Sequence, residues 1–261
     1  MKIRPFVAAN IGSMLLFAAG IGAQAAEVKV LSAVGMRQVM LDLGPKFERA
    51  TGHTLAISFA SSGVIVKRIE AGETTDVLMI PRSGMDRMAQ TGKVIGSATD
   101  LASSIVGVAV RKGAPKPDVS SPEALKRTLL AAKSIARADP AKGGSSGVHI
   151  AKVAERLGIA DEVKSKSVLM YAPDGPTASP GHAVAGGRAE IALHQMQELI
   201  AVPGIEIVGP LPGDLQETFF FSAAIATGAK EVEAGKALIG FLRTQEAMAA
   251  IKARGMQPAA P

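Results

Sequence analysis

Hydrophobic and polar positions alternate along this chain in two textures. Short β-branched or apolar runs read as buried strands: VKVLS (28–32), LAISFA (55–60), DVLMI (76–80), IVGVAV (105–110), SIARAD (134–139), SVLMY (167–171), EIALH (190–194), IEIVG (205–209) and FFFSAAIA (219–226). Between most of them the apolar positions recur with a helical period. In VIVKRIEAG the residues Ile65, Val66 and Ile69 share a face opposite Lys67, Arg68 and Glu70; in VHIAKVAERLG the stripe is Ile150, Val153, Ala154 and Leu157. Strands alternating with helices predict an α/β fold of mainly parallel, doubly wound sheets. Gly44-Pro45 interrupts MRQVMLDLGPKFERATG and predicts a kink, or a new helical start with Pro45 at its first position. Gly52, Gly72 and Gly158 stand where helix C-caps are needed.

Two Pro/Gly-rich stretches, KGAPKPDVSSP (112–122) and GPLPGDL (209–215), bracket a central block. That block is read as a second lobe inserted into the first. Lobe 1 is then 26–105 plus 216–261 and lobe 2 is 106–215, joined by a hinge of two chain crossings.

The N-terminal pattern changes the picture of where the protein works. Lys2 and Arg4 precede a mostly apolar run that ends at the small-residue site Ala23-Gln24-Ala25, the three-part signature of a cleaved secretory signal over 1–25. Asn10 and Ser13 break the run, and no basic stop-transfer flank follows, which argues against a membrane anchor. The mature protein is expected in the periplasm of a bacterium. The chain has no Cys, so disulfide and thiolate chemistry are excluded. Its net charge is +6, to which Lys2 and Arg4 contribute two, and no basic cluster interleaved with aromatics points to nucleic acid. Trp is absent and Tyr171 is the only Tyr, so stacking platforms for sugars or nucleobases are lacking. A small polar ligand fits better.

The candidate chemistry lies in a tetrapeptide written twice. SSGV occurs at 61–64, between a strand and a helical pattern, and again at 145–148, ahead of the second helical pattern. The first-turn N–H groups of a helix have no intrahelical acceptor, and the helix dipole adds partial positive charge there. Ser hydroxyls add donors and Gly allows close approach, so such a turn can bind an oxyanion without a charged side chain. Ordinary N-capping by Ser61 and Ser145 is the plain alternative. Two copies in separate lobes would aim both helix N-termini at one crevice outside the strand ends.

Other readings rest on fewer residues. A phosphate-binding P-loop needs Lys where Val64 and Val148 stand. Gly143, Ser145 and Gly147 match G-x-S-x-G letter by letter but follow the loop ADPAK; a secreted serine hydrolase on Ser145 would draw on His182 or His194 with Asp174 or Asp214. The four histidines, His53, His149, His182 and His194, lack metal-ligand spacing, and the Met residues suit core gaps.

SFASSGVIVKRIEAGETTDVLMI (58–80) resembles the strand-SSG-helix signature of the periplasmic molybdate-binding proteins of ABC importers. The similarity runs from VKVLSAVGM through ADPAKGGSSGVHIAKVAERLG to ALIGFLRTQEAMAAIKARGMQP. It implies two α/β lobes of the type II periplasmic binding protein class, closing around a tetrahedral oxyanion held by hydroxyls and backbone N–H groups. Ser61 or Ser62 corresponds to the family's first-lobe Ser, and Ser145-Ser146-Gly147 to its second-lobe turn. A following loop that gives a backbone N–H falls near Pro176 and Thr177. Gly35 stands where the family carries a Ser, and its Tyr aligns near His194 or Gln195, where this chain has no Tyr. Compensating donors are Ser32, Ser146, Thr177, Gln195 and His194. The leading expectation is therefore a monomeric, non-enzymatic receptor for molybdate or tungstate, without cofactor or bound metal cation, that serves a membrane permease with its ATPase subunit. The alternative is the same scaffold binding an organic carboxylate, with Arg37 or Arg82 at hand for a bidentate pair.

Overall fold

The computed structural model describes residues 25–171 and 177–260. Residues 1–24 of the expected signal segment over 1–25 lie outside them, as do Asp174 and Pro176.

Each sequence run forms its strand, and each helical pattern packs its stripe on a sheet. In the first half, β1 (Glu27–Ala33) pairs in parallel with β2 (Thr54–Ala60) and β3 (Val77–Pro81). The helices α1 (Arg37–Thr51) and α2 (Ser62–Glu70) connect them, and α3 (Arg82–Gln90) leads on from β3. In the second half, β5 (Ile135–Ala138) pairs in parallel with β6 (Ser167–Met170) and β7 (Ile191–Gln195). Here α4 (Pro122–Ala131) leads into β5, and α5 (Ser145–Arg156) and α6 (Ala160–Ser165) join β5 to β6. Then α7 (Pro180–Ala185) precedes β7, and α8 (Met196–Ile200) leads to β8 (Ile205–Pro210).

Between the halves the sheet is antiparallel. The long β4 (Val94–Arg111) pairs with β9 (Thr218–Ala226) up to Ile105 and with β7 from Val106 onward, while β9 pairs with β3. The ten strands thus follow the order β2-β1-β3-β9-β4-β7-β5-β6, with β8 and β10 (Gln257–Pro258) also on β4. The parallel cores match the sequence expectation, and the two strands that carry the chain across run antiparallel to their neighbours. The side chain of Gln216 fastens the two crossings, accepting from Val106 N–H at 2.9 Å and donating to Val106 C=O at 2.8 Å.

The C-terminal helices α9 (Val232–Phe241) and α10 (Gln245–Ala253) return to the first half. Helix α1 runs unbroken through Gly44-Pro45, so no new helical start occurs at Pro45. Its face is held by Met36, Met40, Leu43 and Phe47, all essentially fully buried. Gly52, Gly72 and Gly158 all have positive φ just beyond their helices, the conformation only Gly adopts without a steric penalty. Among the described residues no helix is long and apolar enough to cross a membrane.

Asp76 holds the first half together by main-chain contacts. It is 4% exposed, and its carboxylate accepts from the N–H of Lys29 (2.8 Å), Lys230 (2.7 Å) and Glu231 (3.0 Å). Asp76→Ala strands three donors and is expected to cost about 3 kcal/mol or more in urea unfolding; a loss under about 1 kcal/mol would contradict this role.

Candidate functional site

Helix α2 starts at the end of β2 and α5 starts just beyond β5, so both N-termini leave the carboxyl ends of parallel strands. There the two SSG turns meet. Ser61 Oγ donates to Lys142 C=O at 2.6 Å, Gly63 N–H donates to Gly143 C=O at 3.2 Å, and Ser145 Oγ donates to Ser62 Oγ at 3.3 Å. Neither Ser61 nor Ser145 makes a side-chain cap: Ser61 is the N-cap residue without such a bond, and the N-cap of α5 is Gly144. The hydroxyls are turned across the cleft instead of onto their own helices.

Under this seam lies a cavity of about 50 Å³, more than the roughly 10–15 Å³ that one water requires. Of the sequence-derived candidates, Gly35, Ser61, Ser62, Ser145, Ser146, His194 and Gln195 line it. Ser32 does not. It is fully buried in β1, with its hydroxyl on Ala33 C=O at 3.2 Å, because the strand's alternation turns it into the core. Thr177 is exposed and is not among the lining residues.

The arginines offered for a carboxylate are also elsewhere. Arg37 lies over the Phe59 ring at 5.2 Å, and Arg82 lies over Phe220 at 4.4 Å while paired with Asp100. Long cationic side chains found aromatic faces and a carboxylate at the surface. Among the described residues no guanidinium lines the cavity.

Gly35 occupies the short turn after β1, where its missing side chain is filled by neighbours. A Cβ there would stand 2.6 Å from Phe221 Cζ and 2.9 Å from Gln195 Oε1. Its carbonyl accepts from Gln197 Nε2 at 3.1 Å, and Gln197 also donates to Gln195 Oε1 at 2.7 Å. A Ser at this position requires Phe221 and Gln195 to move. Gln195 is consequently part of an amide network joining the two halves, with one edge toward the cavity.

Among the lining groups that escaped the sequence reading are Asp139, Tyr171, Phe221 and Glu198. Glu198 completes a buried chain. Ser146 Oγ is 2.8 Å from His194 Nδ1, and His194 Nε2 is 3.0 Å from Glu198 Oε2. Ser146 is 1% exposed, His194 6%, and the Glu198 side chain 13%. A His ending a strand with Glu four residues on, across the turn into a helix, was the available signal.

Among the described residues no imidazole hydrogen-bonds Ser145. Its hydroxyl bonds Ser62, while His194 bonds Ser146, His182 bonds Ser179 at 2.8 Å, and Asp214 pairs with Arg156. The described residues thus do not pair Ser145 with the histidine that the hydrolase reading requires. His149 is engaged with Leu215 C=O and Glu217, and His53 accepts from Ala26 N–H.

Chemically, the site offers to an anion hydroxyls, one imidazole and the first-turn N–H groups of α2 and α5 other than that of Gly63, which is bonded to Gly143. Ala33, Met170, Pro180 and Phe221 add apolar surface between them.

The family model described as "Bacterial extracellular solute-binding protein" matches residues 28–257. A Pseudomonas protein named aconitate isomerase is 34% identical over 236 residues, covering 88% of this chain and 87% of its own. A molybdate-binding protein of Azotobacter vinelandii is 32% identical over 258 residues, 93% of this chain and 96% of its own. The solved periplasmic molybdate-binding protein of Azotobacter vinelandii superposes with a TM-score of 0.72 at 20% identity, over 90% of this chain and 99% of that one. With its two α/β halves, its cleft between helix N-termini and a family match over nearly all of the described residues, this chain belongs to the bacterial extracellular solute-binding proteins.

Proposed function

We propose that the protein is the periplasmic receptor of an ABC importer and that its solute is a small organic anion bearing carboxylates. Lobes 26–105 plus 216–261 and 106–215 close on it, hinged where β4 changes partners between Ile105 and Val106 and where the chain returns from β8 to β9. The closed monomer is presented to a permease driven by its ATPase subunit. The supporting observation is the mixed lining. Ala33, Met170, Pro180 and Phe221 offer nothing to an inorganic tetrahedron and pack on carbon, while Ser62, Ser145 and the helix N-termini serve carboxylate oxygens. The filled space at Gly35 and the relative named aconitate isomerase point the same way. Molybdate or tungstate is the second reading, supported by the convergence of four Ser hydroxyls and by the molybdate-binding relative.

Thermal unfolding of the mature chain from Ala26 separates the two, in a panel of molybdate, tungstate, sulfate, phosphate and di- and tricarboxylates. A ligand at one hundred times its Kd adds about 2.7 kcal/mol to the native state, a shift of about 5 °C or more for a chain of this size. The shift is expected with a tricarboxylate or dicarboxylate. A shift confined to molybdate and tungstate would replace this reading with the second.

A further inference from the structure

We infer that the cavity also moves a proton on its bound anion. Ser146, His194 and Glu198 form an acid–base relay that shifts a carbon-bound hydrogen, and with it the double bond, of an unsaturated polycarboxylate. The inference rests on the carboxylate reading of the site. Three elements, α5, β7 and α8, bring the three side chains into one line at the cavity wall, at 2.8 and 3.0 Å. The Glu198 carboxylate accepts His194 Nε2–H, which leaves the Nδ1 lone pair to accept the Ser146 hydroxyl. A carboxylate placed beside an anion cavity opposes binding by like charge. Coupled through an imidazole to a hydroxyl, the same carboxylate stabilises the imidazolium that forms when a proton is taken up.

The chemistry of the ligand selects the reaction. A carboxylate is not an acyl donor, so Ser146 finds no carbonyl to attack on such a molecule. The acidic position is a C–H on the carbon that stands between a carboxylate and the C=C. Ser146 Oγ accepts that proton as its own passes to His194 Nδ1, leaving an imidazolium against the Glu198 carboxylate. The electron pair of the broken C–H bond moves into the carbon framework, the C=C shifts by one position, and charge gathers on carboxylates at the two helix N-termini. Return of a proton along the same line to the far end of the allylic unit completes the step. Nothing is oxidised or reduced, and the atoms are conserved.

The test uses the mature chain in D2O with the cis or trans isomer of propene tricarboxylic acid, followed by proton NMR, with calorimetry on the same samples. Deuterium is expected to enter the methylene position and the isomers to interconvert. Both rates are expected to fall by about a hundredfold or more in His194→Gln and in Glu198→Gln, within the usual range for loss of an acid–base group. The Kd is expected to move by less than about tenfold, with thermal melts confirming that each variant is folded. Binding without exchange in the unmutated protein overturns the relay and leaves the receptor reading standing; absence of binding overturns both. Exchange that persists in His194→Gln overturns it too, as does ester hydrolysis dependent on Ser146 without any exchange.

Discussion

Gly63→Ala is expected to weaken ligand binding by roughly ten- to a hundredfold while leaving the fold as stable as before. Gly63 lies in the first turn of α2 with an ordinary helical backbone, so alanine is conformationally welcome there and favours the helix by up to about 1 kcal/mol. The obstacle lies across the cleft. A Cβ on Gly63 would stand 2.8 Å from the Gly143 Cα, a backbone atom that cannot rotate away, and the two glycines also share the Gly63 N–H to Gly143 C=O bond. Under the proposed closure the closed arrangement is overpacked, at about 1–3 kcal/mol, and one with the two turns apart is not. That cost appears in the affinity, at 1.4 kcal/mol per factor of ten. Calorimetry and urea unfolding on one preparation separate the two effects. Unchanged affinity would mean that the meeting of the SSG turns plays no part in capture. Gly143→Ala is the poorer probe, because Gly143 has φ of 74° and would be strained whatever stood opposite.

Gly147→Ala is expected to act on folding itself, at about 3 kcal/mol or more. Helix α5 sits so closely on the end of β5 that a Cβ on Gly147 would overlap the Ala138 carbonyl oxygen and stand 2.8 Å from its carbon. Both contacts are backbone, so the helix can only lift away, taking Ser145 and Ser146 from the cavity. Gly240→Ala in α9 is the matched control. Nothing lies within 4 Å of its added carbon, and the change is expected to be neutral or stabilising by up to about 1 kcal/mol. Equal urea midpoints for Gly147→Ala and the unmutated protein would contradict this packing.

Strands that bury their side chains were legible in sequence, and those that pair chiefly through main chain were not. VIGSATDLASS (94–104) carries too many polar and small residues to read as a strand, yet it is the first part of β4, exposed along much of its length and held by its ladder with β9. Pro45 looked like an interruption, but α1 keeps its helical course, with Leu43 and Phe47 on either side of it anchored in the core.

For the site, the repeated tetrapeptide was a local signal, and Ser61, Ser62, Ser145 and Ser146 all reach the cavity. Phe221 could not be read in this way, since it arrives opposite Pro81 only through the antiparallel register of β9 on β3. Ser32 misled because one position along a strand exchanges cavity for core. Arg37 and Arg82 misled because charge alone does not say which aromatic ring or carboxylate a long side chain will find.

If the two SSG turns jointly hold an organic carboxylate, the most direct measurement is the Kd of a tricarboxylate for the chain from Ala26 and for its Ser62→Ala, Ser145→Ala double variant. Hydrogen bonds to a charged group contribute about 1.5–3 kcal/mol each, so affinity is expected to fall by on the order of a hundredfold or more. A change smaller than about tenfold in a folded double variant would contradict the claim and place the anion elsewhere.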